Sequence, residues 1–307
     1  MAIFTYALGA AIPDALRGGV LTIGNFDGVH LGHQALLAEA CGQAKTLQCS
    51  AIACTFDPSP AQLLRPDRLQ PPLTTLADRA ALLQHHGADH VMVLQTSSDF
   101  LQLTARDFFE RIVVQHLRTR AMVEGFNFGF GRNREGTIEV LRRFCDEKKV
   151  PLTLIPPREV LSQPVSSSRV RSELLAGNVN VVAELLGRSY RITGIVGVGQ
   201  RRGATIGFPT ANLHDVPTLL PGNGVYAVRA FVNDKAWPAA ANVGPNPTFG
   251  EAVRKVEVHI IGYSGDLYDQ SVAVEFVKKI RDTRPFASVS ELTAQIRNDI
   301  AAACKVL

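Results

Sequence analysis

Two histidines, His30 and His33, stand beside a glycine-rich turn, and residues of this type at this spacing could do phosphoryl chemistry. They belong to the run GNFDGVHLGH at residues 24–33, which follows the apolar residues 20–23 and leads into a helix-like run at residues 34–40. This order is typical of a strand, a glycine turn and a helix. The unpaired N–H groups and the positive dipole end at the start of such a helix favour a bound anion.

Residues three apart lie on one face of a helical turn, so His30 and His33 would share the side that faces the anion. Two imidazoles there can stabilise the charge of a phosphoryl group under attack, which indicates nucleotidyl transfer. The alternatives are a pair of solvated helix histidines and a metal site completed by Asp27. The glycines on either side of the motif, directly after a strand, favour phosphate binding over both alternatives.

A second group of oxygen-bearing side chains lies in the latter half of the chain. Thr210 and Asn212 follow a proline that fixes the local backbone and, being two apart on an extended segment, face the same side. Such hard oxygens suit Mg²⁺ bridged to ATP phosphates, and an ordinary loop is the alternative. Glu257 lies in the run KVEVHI, where it points away from its apolar neighbours. Taken alone, it is most simply a solvated glutamate on a strand.

Two glycine-containing loops are further candidates for binding. Residues 197–203 (GVGQRRG) resemble a dinucleotide fingerprint, but the final spacing is wrong and we expect no helix after them. A glycine loop over ATP phosphates is the better interpretation, with Arg201 or Arg202 nearby. Residues 125–131 (GFNFGFG) alternate aromatics with glycines after a strand, which could stack on a flat ring or could anchor the loop by hydrophobic contact. Asn127 in this loop is a candidate for binding.

The elements that must position these residues fall into two classes. From about residue 20 to 155, strand-like and helix-like runs alternate, which predicts an α/β domain with a parallel sheet covered on both faces. Ligands bind such sheets beyond the carboxyl ends of the strands, where both histidines fall. Residues 166–186 predict two short helices that close this domain. After residue 190, alternating β-like runs separated by turns predict a small antiparallel barrel with a C-terminal helix. We therefore expect domains at residues 1–186 and 187–307.

Composition narrows the class of protein. The 307 residues favour two domains, and 46% hydrophobic with 20% charged residues is typical of a globular protein. The net charge of +4 suits the binding of anionic small molecules. The sequence contains no polybasic block of the kind that would indicate a nucleic-acid partner. No apolar run approaches the roughly 20 residues of a membrane span. The five cysteines are scattered without a CxxC pair, which favours a reducing compartment. We therefore expect a cytoplasmic protein with neither membrane nor nucleic-acid partners, of unspecified oligomeric state.

Three motifs together resemble one family. Residues 30–33 match the HxGH signature of nucleotidyltransferases that bind ATP and release pyrophosphate, and residues 166–171 (SSSRVR) are similar to their Ser-Ser-Thr-x-x-Arg element. Residues 207–212 (GFPTAN) resemble the PTAN motif of riboflavin kinases. In this order, the chain resembles the bacterial bifunctional riboflavin kinase/FAD synthetases over nearly its whole length.

The resemblance implies two activities that both use ATP and need Mg²⁺. The barrel would phosphorylate riboflavin to FMN, and the N-terminal, Rossmann-like nucleotidyltransferase domain would adenylylate FMN to FAD with release of pyrophosphate. Glu257 would be the catalytic base of the kinase, His30 and His33 would be catalytic in adenylyl transfer, and Thr210 and Asn212 would also hold the metal. The resemblance implies nucleotide contacts at Gly24, Phe26, Asp27, Gly32, Asn127, Ser167, Ser168, Arg171, Gly199, Gly203, Thr210 and Asn212.

The chain departs from the family pattern at three positions: Ser168 replaces a usual threonine, Asn246 a usual arginine and Asp269 a usual glycine. Two other functions are alternatives. One is a nucleotidyltransferase for another phosphate acceptor, with a barrel that only binds ligand. The other is a nucleic-acid-binding protein with a basic barrel, but the barrel lacks the interleaved aromatic and basic residues of a strand-binding platform.

Overall fold

A computed structural model of the chain describes residues 2–65, 67, 70–199, 202–246 and 251–307, with the side chains of residues 202, 246 and 251–253 outside the description. The chain forms two compact units. The first consists of Met1–Gln70 and Thr74–Val165, and the second of Pro71–Leu73 and Ser166–Leu307.

The first unit is built on a six-stranded sheet. Its strands are β1 (Ala2–Tyr6), β2 (Val20–Ile23), β3 (Ala51–Asp57), β4 (His90–Gln95), β5 (Ala121–Gly125) and β6 (Leu152–Ile155). They pair in parallel throughout, in the order β1-β4-β3-β2-β5-β6. The prediction of a parallel α/β domain is confirmed, and β1 is a strand that the sequence analysis did not foresee.

Helices connect these strands. They are α1 (Leu31–Leu47), α2 (Pro60–Leu64), α3 (Leu76–His85), α4 (Ser98–Leu101), α5 (Ala105–Phe108), which continues as a π-helical segment (Phe109–His116), and α6 (Ile138–Lys148). A two-stranded hairpin, β7 (Glu159–Val160) with β8 (Gln163–Pro164), ends the unit.

Hydrophobic cores cover both faces of the sheet because successive strand residues point to opposite sides. On β3, Ile52 and Cys54 pack into a core that includes Phe109 and Phe144, from the π-helical segment and α6. Ala53 between them packs with Leu37 and Leu83, from α1 and α3, and further α1 residues cover the same face. Every residue of β2 is buried, as expected for a strand covered on both faces.

The sheet has a switch point between β2 and β5. The chain runs outward from β2 through β3 and β4 and then returns to the other side at β5. Strands β2 and β5 pair at Val20 with Ala121 and at Leu21 with Met122. Beyond these pairs, the Ile23 N–H donates to a carboxylate oxygen of Glu124 over 2.9 Å. Ligands of open α/β sheets bind at the carboxyl ends of the strands at such a point.

The second unit is a closed barrel. Its strands are β9 (Tyr190–Gly197), β10 (Ala211–His214), β11 (Gly224–Val232), β12 (Lys235–Asn246), β13 (Glu251–Ile260) and β14 (Ser271–Arg281). They pair antiparallel in the order β10-β13-β12-β11-β14-β9, which closes on itself. The inner face of the barrel is apolar, with Tyr226 and Phe276 packed edge to face 5.3 Å apart. The predicted antiparallel barrel is confirmed.

In the described residues of the second unit, four helices accompany the barrel: α7 (Ser167–Ala176), α8 (Val179–Leu186), α9 (Arg202–Thr205) and α10 (Val289–Cys304). The predicted C-terminal helix is confirmed as α10, which contacts β11, β12 and β14. Helices α7 and α8 belong to the compact unit of the barrel, and α8 packs on β9 and β14. The short α9 begins inside the glycine loop of residues 197–203 and extends beyond it, so the expectation that no helix follows this loop was wrong. Among the described residues, no helix has the length and apolar character needed to cross a membrane.

Candidate active sites

The turn that carries the histidines places His30 at the N-cap of α1. Its backbone is extended (φ −72°, ψ 171°), and its Nδ1 accepts a hydrogen bond from the His33 N–H over 3.3 Å. Because Nδ1 is an acceptor, a neutral His30 ring carries its proton on Nε2, which is then the donor that the ring can offer to a ligand. The capping bond therefore fixes both the orientation and the tautomer of His30.

The ring of His33 lies on that of His30, with centroids 3.6 Å apart and planes 15° apart. Gly32 makes this possible, because a Cβ at that position would lie 3.1 Å from Cε1 of His30. Phe26 meets His33 edge to face, with centroids 5.1 Å apart. Burial lowers the pKa of His33 well below its ordinary value, and His30 and Arg79 lower it further. His33 is thus a neutral imidazole at neutral pH.

Asp27 and Phe26 shape the turn from within. The buried Asp27 carboxylate accepts hydrogen bonds from Thr74 N–H (3.1 Å) and Thr74 Oγ1 (3.2 Å), and Thr74 Oγ1 in turn accepts from the Gly28 N–H. Phe26 is fully buried at a positive φ of 48°, beside Gly24. The Phe26 ring is therefore a core residue, so a nucleotide contact at Phe26 would have to come from its backbone.

The metal alternative for the histidines receives no support from the geometry. Within the described ranges, no three side chains of His, Cys, Asp or Glu are grouped so that they could hold a metal ion. Asp27 is occupied by Thr74, and the His30 Nδ1 is occupied by the helix cap. The arrangement instead leaves backbone N–H groups of the α1 N-terminus beside two imidazoles, which suits phosphate.

The aromatic loop after β5 divides into an anchor and an exposed part. Phe128 and Phe130 stack with centroids 5.4 Å apart, and Phe130 is buried against Phe108. Phe126 is 55% exposed, so of the three alternating rings it is the one presented to solvent. Asn127 is also exposed, at the carboxyl end of β5 beside the switch point. The anchor interpretation therefore holds for two rings, and Asn127 keeps its place as a candidate.

Sequence reasoning missed Glu124, which is fully buried at the end of β5. Burial raises its pKa well above the ordinary value, and the hydrogen bond from the Ile23 N–H only partly offsets this. Burial therefore favours the protonated form of this side chain, which replaces the missing strand pairing at the switch point. The signal was available, since Glu124 is the one charged residue in the run AMVEG.

In the barrel, Glu257 lies directly opposite Asn212. The register of β13 with β10 pairs these two residues, while the neighbours Val256, Val258 and Leu213 point into the core. Directly opposed residues of an antiparallel pair share a face, so Glu257 and Asn212 lie together on the outer face of the barrel. The structure thus joins the catalytic candidate to a predicted metal ligand.

The segment around Thr210 is held in place by His259 and by two glycines. His259 Nδ1 is 2.8 Å from the Pro209 carbonyl oxygen, and its ring meets that of Phe208 edge to face. A Cβ at Gly203 would overlap the Phe208 carbonyl oxygen, and one at Gly199 would overlap the Asn212 amide. The glycine loop therefore packs closely on the segment of Thr210 and Asn212. His259 is a supporting residue that the sequence analysis missed.

The remaining predicted residues lie elsewhere in the second unit. Ser167 and Arg171 are half-buried on α7 and Ser168 is exposed there, while Ser166 caps the helix by accepting from the Arg169 N–H. The histidine motif lies in the first unit. Arg201 and the side chains of Arg202 and Asn246 lie outside the described residues.

Asp269 has a φ of +60°, a conformation that glycine adopts without strain. This explains why a glycine is the usual residue at this position of the family pattern. Aspartate is among the residues that tolerate the left-handed region, so the turn keeps its shape here.

Comparisons with known proteins agree with this geometry. A family model described as FAD synthetase matches residues 12–169, and one described as riboflavin kinase matches residues 186–307. The bifunctional riboflavin kinase/FMN adenylyltransferases of Pseudomonas fluorescens and of Escherichia coli K12 are each 36% identical to the chain. The match covers 94% and 92% of this chain, respectively, and 92% and 91% of the relatives.

A crystal structure described as a macrolide-efflux protein from Streptococcus pneumoniae has the same fold, with a TM-score of 0.87 and 31% identity. The likeness covers 98% of this chain and 99% of that one. The description of that structure differs from those of the two family models. The family models name the same two activities as the curated relatives do. The chain belongs to the bifunctional riboflavin kinase/FMN adenylyltransferase family.

Proposed function

We propose that the barrel and the parallel-sheet unit carry the two activities of this bifunctional enzyme. The chain phosphorylates riboflavin with ATP to give FMN, and it transfers AMP from a second ATP to FMN to give FAD and pyrophosphate. The substrates are small molecules: riboflavin, FMN and ATP. The observation that carries the assignment is the pairing of Glu257 with Asn212 next to the Thr210 segment.

For the kinase step, we assign Glu257 as the general base. It takes the proton from the ribityl hydroxyl as that oxygen attacks the γ-phosphorus of ATP and ADP leaves. Asn212 and Thr210 hold the phosphates at one side of the carboxylate, and the close-packed glycines Gly199 and Gly203 bring backbone to them. Glu257 is half-buried on the outer face, which leaves the carboxylate accessible to a substrate.

The residues present fit a Mg²⁺ ion at Thr210 and Asn212. The Thr210 hydroxyl is exposed, and Asn212 Nδ2 lies 3.5 Å from the Thr210 carbonyl oxygen, which leaves the amide oxygen as the atom offered to a ligand. When bound there, Mg²⁺ would neutralise charge on the ATP phosphates in the kinase reaction. The side chains themselves orient the phosphates relative to Glu257.

For adenylyl transfer, we assign His30 and His33 as donors to the developing charge at the α-phosphorus. The FMN phosphate attacks directly and pyrophosphate leaves, without a covalent enzyme intermediate. The two imidazoles at the N-terminus of α1 can donate N–H hydrogen bonds to this charge. Gly24, Asp27, Gly28 and Gly32 set the backbone of the turn. The motif match also supports phosphate roles for Ser167, Ser168 and Arg171, and a binding role for Asn127.

We place the catalytic division of the chain at residues 1–186 and 187–307. The start of the riboflavin kinase match at residue 186 supports this boundary, although α7 and α8 pack with the barrel. We also propose a cytoplasmic location. The five cysteines, all of them in the described part of the chain, are free thiols, which suits a reducing compartment.

The test is a flavin assay with the whole chain. Riboflavin, ATP and Mg²⁺ are mixed with the protein, and the flavins are resolved by chromatography at successive times. We expect FMN first and then FAD, with one pyrophosphate for each FAD. The proposal would be contradicted if riboflavin stayed unchanged and supplied FMN also stayed unchanged. FAD from FMN without FMN from riboflavin would leave the barrel as a ligand-binding module.

A further inference from the structure

Glu257 has an asparagine directly opposite it on each neighbouring strand. Asn212 on β10 lies on one side, and Asn242 on β12 lies on the other. All three side chains are half-buried. The residues that alternate with Glu257 and Asn242 point into the barrel core and are buried: Ala241, Val243, Val256 and Val258. The three polar side chains therefore form a row across the outer face.

Apart from Glu257, the residues directly opposite Asn242 and those two residues away on its own strand carry no polar side chain, while Lys255 and His259 lie diagonally from it on β13. On β11 it is opposite the buried Val225, and two residues away on its own strand stand Ala240 and Gly244. Directly opposed residues have Cβ atoms about 4.5–5.5 Å apart, which brings an amide and a carboxylate within hydrogen-bond reach. Glu257 is thus the polar side chain that faces Asn242 across the strand pair.

The strand register also shows which charged and titratable groups surround the row. Lys255 and His259 flank Glu257 on β13, and His214 lies two residues from Asn212 on β10. His259 is engaged with the Pro209 carbonyl oxygen. A carboxylate accepts hydrogen bonds at both oxygens, whereas an asparagine amide offers two N–H donors. Asn242 can therefore hold one oxygen of Glu257 while the second faces the substrate.

We propose that Asn242 is a positioning residue of the kinase step. Its amide donates to one carboxylate oxygen of Glu257 and directs the other oxygen toward the ribityl hydroxyl. Asn212 serves the ATP side of the same carboxylate, so Glu257 is held between two amides with different tasks. The inference rests on the proposed role of Glu257 as the base.

The test compares kcat and KM for riboflavin phosphorylation in Asn242→Ala and Asn242→Asp as a function of pH. We expect Asn242→Ala to lower kcat by about tenfold, the loss that follows removal of one hydrogen bond to a charged group, with KM for ATP and riboflavin changed less than about twofold. Asn242→Asp places a second carboxylate opposite Glu257, which disfavours proton loss there. The acidic limb of its kcat profile should move to higher pH.

A double-mutant cycle separates positioning from a merely structural role. In a Glu257→Gln background, Asn242→Ala should cause little further loss, because residues that act as a unit are not additive. Asn298 on the exposed face of α10 provides matched controls, and Asn298→Ala and Asn298→Asp should leave the profile unchanged. Adenylylation of supplied FMN checks each variant for folding.

Each outcome decides the proposal. A full tenfold loss of kcat from Asn242→Ala in the Glu257→Gln background would overturn the role of Asn242. An unshifted pH profile of kcat in Asn242→Asp would do the same. Either result would leave Glu257 as the base. Undiminished riboflavin phosphorylation in Glu257→Gln alone would overturn the assignment of the base, and with it the positioning role. Absence of FMN formation by the unaltered protein would instead overturn the proposed function.

Discussion

The imidazole rings of His30 and His33 lie stacked on each other, with centroids 3.6 Å apart. Two charged rings at this distance would repel each other, which is one reason why the pKa of His33 lies well below its ordinary value. The same contact explains the glycine between them, because Gly32 is the position where a Cβ would press on His30. The spacing of the motif thus builds a stacked pair of imidazoles at the start of α1, of which His33 is neutral.

His33→Ala is expected to block adenylyl transfer alone. Loss of one donor to a developing oxyanion costs on the order of 10²–10³ in rate. Riboflavin should still be converted to FMN, which should accumulate while FAD stays low. The measurement is the chromatographic time course of all three flavins. His85→Ala, an exposed histidine at the end of α3, is the matched control. Near-normal FAD formation by His33→Ala would assign the ring to a structural role.

Glu124→Gln is expected to stabilise the first unit increasingly as pH rises. The unfolded carboxyl loses its proton near its ordinary pKa of 4.5, whereas burial raises the pKa of the folded group well above that. Between these two pKa values the folded state holds the extra proton, so the contribution of Glu124 to stability falls as pH rises. Glutamine keeps the acceptor for the Ile23 N–H and does not titrate.

Hydrogen-exchange protection of β2 and β5 between about pH 5 and pH 8 provides the measurement for Glu124→Gln. Glu139→Gln on α6 supplies a control of opposite sign, because a hydrogen bond from Thr137 lowers the pKa of that exposed carboxyl. The effect of Glu139→Gln on stability should be small, because the side chain is exposed. A pH-independent difference between Glu124→Gln and the unaltered protein would mean that Glu124 is not held neutral.

Asp299→Ala is expected to loosen α10 from the barrel. The Asp299 carboxylate binds Arg281 at two points, Nε to Oδ1 (3.0 Å) and Nη2 to Oδ2 (2.7 Å). Removal of the carboxylate leaves the partly buried Arg281 guanidinium without its anionic partner. We expect this to lower the free energy of unfolding by about 3 kcal/mol. Urea unfolding followed by fluorescence of Trp237, the single tryptophan, reports on the barrel. The neighbouring Asp282→Asn, on a fully exposed side chain, should change little.

Two fragments test where the kinase module begins. Residues 166–307 and 187–307 both contain the residues assigned to phosphorylation of riboflavin. Helix α8 buries Val182, Leu185 and Leu186 in the unit of the barrel. We therefore expect both fragments to make FMN and neither to make FAD, with the shorter one less resistant to urea. Equal stability of the two fragments would show that α8 is dispensable for the barrel.

The sequence predicted most strands, most helices and the barrel because period-two and period-3.6 patterns survive in single segments. It also proposed residues for both sites, since glycine turns and motif spacing are local, and the register of β13 with β10 places Glu257 opposite Asn212. It missed β1, whose first four residues alternate between half-buried and exposed before the buried Tyr6, and it missed α9. It also could not foresee Glu124 replacing a strand pairing, or the row of Asn212, Glu257 and Asn242. Both depend on which strands become neighbours, and that is decided by tertiary packing.

We infer that one chain holds two independent active sites and that Glu257 is the base of the kinase site. The most direct measurement takes Glu257→Gln and follows FAD formation from riboflavin and, separately, from supplied FMN. The substitution keeps size and hydrogen-bonding capacity but removes the base, whose help typically contributes about 10²–10⁴ in rate. Glu275→Gln, a half-buried glutamate on β14 paired with Arg191, is the matched control.

We expect FAD formation from riboflavin to fall by about 10²–10⁴ in Glu257→Gln, while FAD formation from FMN stays near that of the unaltered protein. The FMN phosphate is already ionised near neutral pH and needs no base. Circular dichroism and Trp237 fluorescence check that the variant is folded. Retention of both rates would contradict the role of Glu257, and loss of both in a folded variant would contradict the independence of the two sites.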